Sequence, residues 1–179
     1  MRKINLKKKN GFTIIEVVLV LAIAGLIFSM AFIALPQLQR TQRDAERKED
    51  VLILLENIKK YQNNNNGALP NLFGRTYEIV EYGDTGDFAW TKFYNNYLGE
   101  NFKDPSNTNY RLVVSECHVG ENEEECEYTV EPEEFPNNYS MYVMEKAICS
   151  ENKAIPSSNP KSITALYVLE TGEAYCANT

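Results

Sequence analysis

Residues 7–36 read KKKNGFTIIEVVLVLAIAGLIFSMAFIALP. A basic cluster, Lys7–Lys9, gives way to an apolar run with no charge from Val17 to Leu35, 19 residues. A helix of that length spans roughly 28 Å at about 1.5 Å per residue, close to the hydrocarbon thickness of a bilayer. The apolar region of a secretory signal is shorter, about 7–15 residues. The run therefore predicts a membrane-spanning helix. The basic leader predicts a cytoplasmic N-terminus, with the rest of the chain on the far side of the membrane.

Glu16 is the residue that a plain anchor does not explain. A carboxylate in the first turn gains about 0.3–1 kcal/mol from the helix dipole, but in hydrocarbon it is costly and implies a partner. No basic residue follows within one turn. A cut just before Phe12 would create an α-ammonium four residues away. A unit-charge pair at about 4 Å is worth about 4 kcal/mol at an effective dielectric of 20, before desolvation.

Lys-Asn-Gly-Phe-Thr-Ile-Ile-Glu, residues 9–16, followed by this helix, resembles the N-terminus of type IV prepilins and pseudopilins. The resemblance covers residues 7–35 and extends plausibly along the helix to about residue 62. It implies a pilin-like α+β fold and cleavage after Gly11 by a membrane prepilin peptidase. It also implies N-methylation of Phe12 and pairing of Glu16 with the N-terminal amine of a neighbouring subunit during filament assembly. Gly25 matches a frequent helix glycine of the family. The family's helix proline would fall near Ile33, whereas this chain has Pro36.

After Pro36 the pattern stays helical but turns amphipathic. Val51, Leu52, Leu54, Leu55, Ile58 and Tyr61 recur at three- and four-residue spacing, and Asn63–Asn66 with Gly67 reads as the stop. The spacing predicts one helix from about Phe12 to Gln62, bent or unbent at Pro36. Its mixed-charge stretch Arg40–Asp50 reads either as a contact with neighbouring subunits or as a solvated face. Beyond it, Thr76–Tyr82, Tyr110–Ser115, Glu127–Val130, Tyr139–Ala147, Ser162–Leu169 and Glu173–Cys176 are strand candidates. Asp87–Leu98 reads as a short helix, and Glu170-Thr171-Gly172 as a hairpin turn. The expected architecture is a long N-terminal helix, apolar first and amphipathic later, packed on an antiparallel β-sheet. The expected segments are a leader (1–11), a membrane and filament-core helix (12–35), an amphipathic continuation (36–66) and a head domain (67–179).

Composition bounds the head. The chain carries 18 Lys and Arg against 25 Asp and Glu, net −7. Losing the five basic residues before Gly11 leaves 13 against 25, or −12, which argues against nucleic-acid binding by the domain. All four cysteines, Cys117, Cys126, Cys149 and Cys176, lie in the C-terminal half. An even count beyond a membrane segment points to disulfides in an oxidising space. Of three pairings, Cys117–Cys126 with Cys149–Cys176 is preferred because each closes one loop; four reduced thiols are the alternative.

No catalytic constellation is marked. His118, the only histidine, sits in a loop pattern without a nucleophile motif, and Cys117, His118 and Cys126 lack a zinc-knuckle spacing. No cofactor is expected: the acidic runs Glu121–Glu127 and Asp84–Asp87 supply oxygens for calcium, but neither follows an EF-hand, and solvated loops are the better reading. Tyr82, Trp90, Tyr94, Tyr97 and Tyr110 fit either a contact surface or a core. Asn138-Tyr139-Ser140 matches a glycosylation acceptor.

The expected function is that of a type IV pilus subunit, a major pilin, serving adhesion, twitching motility or DNA uptake. The precursor is expected in the cytoplasmic membrane and the assembled homo-oligomeric filament on the cell surface. Its partners would be the prepilin peptidase/methyltransferase and the pilus assembly machinery. The alternatives are a pseudopilin of a secretion or competence machine and, in another class, a single-pass anchored binding protein or enzyme.

Overall fold

The computed structural model describes residues 11–179, apart from 73, 76, 120–125 and 128–138 and the side chains of 118, 119 and 127. The leader lysines Lys7–Lys9, the acidic run Glu121–Glu125, the strand candidate beyond Glu127, and Asn138 lie outside the described residues. The described chain divides into two compact units, up to Gln39 and Arg40–Thr179.

In the first unit, helix α1 begins; it runs as Ile14–Asn64 without a break at Pro36. Proline has no N–H, so the bond to the Phe32 carbonyl is lost, yet the turns on either side stay helical. α1 ends as the Asn-Gly run predicts. Asn66 and Gly67 both take positive φ, 55° and 78°, and the Gly67 amide donates to the Gln62 carbonyl at 2.7 Å.

Among the described residues the second unit holds nine strands: β1 (Tyr77–Glu81), β2 (Arg111–Glu116), β3 (His118–Val119), β4 (Cys126–Glu127), β5 (Ser140–Glu145), β6 (Ala147–Ser150), β7 (Lys153–Pro156), β8 (Ile163–Val168) and β9 (Ala174–Asn178). A short helix, α2 (Ala89–Phe93), runs into a π-helical turn, Tyr94–Leu98. The main sheet has the order β1-β2-β5-β8-β9. It is antiparallel except between β2 and β5, which pair in parallel with Arg111 opposite Ser140. Two parallel strands need a long return connection, and the chain from Cys117 to Tyr139 supplies it.

The period-2 alternation of the central strands gives the sheet two apolar faces. Leu112, Val114, Met141, Val143, Ile163, Ala165 and Tyr167 meet the α1 stripe Val51, Leu54, Leu55 and Ile58, together with Trp90, Phe93, Tyr94 and Tyr110. Val113, Tyr142, Met144 and Leu166 face the other way, onto Ala147 of β6 and Ala154 of β7. Each fully buried aliphatic or aromatic side chain contributes about 1.5–3 kcal/mol, so the helix is held to the sheet mainly by this stripe.

One expectation changes, and strand β7 has no counterpart among the strand candidates. Tyr139–Ala147 is not one strand: Lys146, at φ 59°, turns the chain so that β6 leaves the main sheet and pairs with β7. β7 itself carries a lysine and a proline, and follows a two-residue turn without glycine, so strand signals are weak there.

Both disulfides take the sequential pairing, Cys117–Cys126 and Cys149–Cys176. The first joins the chain after β2 to β4, and the second joins β6 to the edge strand β9. They fasten the segments that cover the sheet's outer face.

Candidate processing and assembly elements

Thr13 and Glu16 form a reciprocal cap at the start of α1. The Thr13 amide and hydroxyl donate to Glu16 Oε2 at 2.9 and 2.8 Å, and the Glu16 amide donates to Thr13 Oγ1 at 3.3 Å. This is a capping box, Thr-x-x-Glu, which satisfies orphan amides of the first turn. The Thr13-x-x-Glu16 spacing is the sequence signal for it. Both Thr13 donors converge on Oε2, and Oε1 has no hydrogen-bond partner among the described residues.

The apolar run beyond it is uncovered. Side chains from Phe12 to Leu38, among them Leu21, Leu26, Phe28, Phe32 and Ile33, are exposed. α1 is long and apolar enough to cross a membrane. Gly25 sits in helix with nothing within 4 Å of the position a Cβ would take, and so does Gly11 ahead of the helix. Nothing among the described residues requires Gly25 to be small, although glycine in a helix costs about 1 kcal/mol relative to alanine.

The charged stretch Arg40–Asp50 has two sides: Arg40, Gln42, Glu46, Lys48 and Glu49 are exposed, whereas its inner residues are committed to the head. Asp44 and Arg47 are buried. Arg47 binds Asp104 (Nε–Oδ2 2.6 Å), Asp44 (3.0 Å) and Glu170 (2.7 Å). Arg43 grips both oxygens of Glu170 at 2.7 and 2.8 Å, a bidentate geometry suited to guanidinium. The Glu170 amide donates to Asp44 Oδ1, and Tyr110 donates its hydroxyl proton to Asp50 at 2.7 Å. Glu170 belongs to the β8–β9 turn, so the network ties α1 to the tip of that hairpin.

Hydrogen bonds from Arg43, against some burial, and from Arg47 hold the Glu170 carboxyl at about 2. Burial works against the Asp104 carboxylate, yet bonds from Arg47 and Ser106 outweigh it and keep its pKa below the ordinary range. Asp50 goes the other way: burial raises it despite the Tyr110 bond. Sequence patterning could not find this network, because apart from the i,i+3 pair Asp44–Arg47 its ion pairs join residues 57 to 127 apart.

The remaining candidates are placed as follows. Trp90, Tyr94 and Tyr110 are core, while Tyr82 is exposed. Asp84 accepts the Glu81 amide and Asp87 pairs with Lys92. Among the described residues no group of three His, Cys, Asp or Glu side chains is placed to hold a metal ion.

The decisive comparison falls on the first turns of α1 and the leader. Residues 6–32 match the prokaryotic N-terminal methylation motif. The chain carries the motif of the type IV pilin and pseudopilin class. The motif implies processing by a prepilin peptidase and a membrane-bound precursor, and proteins of this class are typically structural rather than enzymatic. The long helix on a mostly antiparallel sheet agrees with that class. The head lies beyond the matched residues, and the chain matches no curated protein and no solved structure.

Proposed function

We propose that the chain is the major subunit of a type IV pilus filament. Residues 1–11 form a leader removed after Gly11; residues 12–35 anchor the precursor and then build the filament core. The amphipathic helix over residues 36–66 carries the head, residues 67–179. The observation that carries this reading is the uncovered apolar surface from Phe12 to Leu38. A surface of that size must lie in lipid or against copies of itself, and a helical polymer supplies the second.

Glu16 fits both stages. Its Oε2 caps its own helix through Thr13, and Oε1 remains to accept the methylated amine of a neighbouring Phe12. The assembly step is then a charge-assisted hydrogen bond formed as the helix leaves lipid, where the low dielectric strengthens it.

Cells carrying the chain, labelled with an antibody to residues 67–179, test the reading by electron microscopy. Long labelled surface filaments that vanish on deletion of the gene are expected. Label confined to the envelope, with loss of protein secretion or DNA uptake on deletion, would assign the chain to a pseudopilin instead.

A further inference from the structure

Beside the edge strand β1 lies a cavity of about 520 Å³, walled by Glu78, Ile79, Asp84, Phe88 and Thr91, with Arg75 at one side. That volume suits a small organic group. Glu78 is 4 % exposed. Its Oε1 accepts the Thr91 hydroxyl at 3.3 Å, and its Oε2 has no hydrogen-bond partner among the described residues. An unpaired buried carboxylate oxygen costs more than almost any other polar defect. Arg75 does not supply the missing donor: its guanidinium lies 3.8 Å from the centre of the Phe88 ring, stacked on it. Asp84 is fixed at the rim, its Oδ2 accepting the Glu81 amide at 2.9 Å.

We propose that this pocket binds a primary alkylammonium group, with Glu78 and Asp84 as acceptors and the Phe88 ring along the alkyl stem. Two carboxylates against one guanidinium leave the wall net negative, which disfavours an anion. A divalent metal would find only two carboxylates and a guanidinium beside them, short of the six to eight oxygens that calcium takes. An ammonium needs only a few acceptors and one positive charge's worth of compensation, and its stem needs an apolar wall. Burial raises the Glu78 carboxyl, opposed by the Thr91 bond and by Arg75, and a bound cation would lower it again. Two sources present this chemistry: a free diamine and a lysine side chain.

The test is amide NMR of the full chain in detergent micelles, titrated with 1,5-diaminopentane, with Nα-acetyl-lysine methylamide, and with 1,5-pentanediol as the neutral control. Saturable shifts at Gly86 and Thr91 with an amine, and none with the diol, are expected. Tighter binding of the lysine amide assigns the site to a protein side chain, and tighter binding of the diamine assigns it to a free amine. Glu78→Gln should weaken binding at least tenfold. Should that variant disturb the fold, Asp84→Asn at the exposed turn carries the test, with at least threefold weaker binding expected. No saturable shift with either amine, equal binding of the diol, or unchanged affinity in the folded variants overturns the proposal.

Discussion

Arg47 Nε lies 2.6 Å from Asp104 Oδ2, with the two side chains 4 % and 0 % exposed. Charges so buried are stable only as a set, because each was taken out of water to meet the other. Arg47→Ala would strand Asp104 and Asp44 without their cation and is expected to cost about 3–5 kcal/mol. Urea denaturation of the full chain in detergent measures it. Arg43→Ala, at the open end of the same network, should cost far less, since water can replace its bonds.

Glu170 makes the network sensitive to acid. Its folded pKa of about 2 lies below the ordinary 4.5, so the unfolded chain takes up the proton first. The stability it contributes is present above about pH 4.5 and drains away as pH falls toward 2. Thermal melts at pH 6 and pH 3 should show a smaller acid loss for Glu170→Gln than for the wild type. Equal losses would mean that the Arg43 and Arg47 bonds do not persist in solution.

Glu145 acts with the opposite sign. Burial raises its carboxyl to about 7; the bond from Trp90 Nε1 opposes that, Glu116 adds to it, and Lys146 works against it. The folded state then holds the proton more tightly than the unfolded state. Its contribution is full below about pH 4.5 and is lost as pH rises to about 7. Glu145→Gln keeps an acceptor for Trp90 and should flatten this decline. Melts followed by fluorescence of Trp90, the only tryptophan, report it directly, with the variant gaining on the wild type at pH 8.

The two disulfides should differ in worth. By loop closure alone, the 27-residue separation of Cys149–Cys176 corresponds to about 3.5 kcal/mol and the 9-residue separation of Cys117–Cys126 to about 2.5. Paired Cys→Ser substitutions, compared by urea midpoints, are expected to follow that order.

How much of this was legible beforehand follows from the range of each interaction. The helix, its stop at Asn66–Gly67 and its apolar stripe are local patterns of three to four residues, and they read directly. The cysteine pairing read correctly because each bridge closes a single loop. The parallel β2–β5 pair did not, since strand propensity says nothing about which end of the sheet a long connection returns to. The Arg47 network escaped for the same reason: mixed charges on a helix look solvated until Asp104 and Glu170 are folded over them. Lys146 escaped because a lysine in the left-handed region carries no sequence signature.

Gly25 separates the subunit from the polymer. A methyl group there meets nothing within 4 Å in the isolated chain, so Gly25→Ala should leave the melting of the detergent-solubilised subunit unchanged or slightly raised. If close helix contacts in the filament are what keep it small, the same variant should yield fewer filaments by shearing and gel quantification. Wild-type yield would remove Gly25 from the assembly surface.

The most direct test of the central proposal is intact and tandem mass spectrometry of the chain recovered from sheared surface material. Cleavage after Gly11 with methylation predicts a subunit that begins at N-methyl-Phe12 and lacks residues 1–11. A surface-recovered chain that still carries Lys7–Gly11 would contradict it.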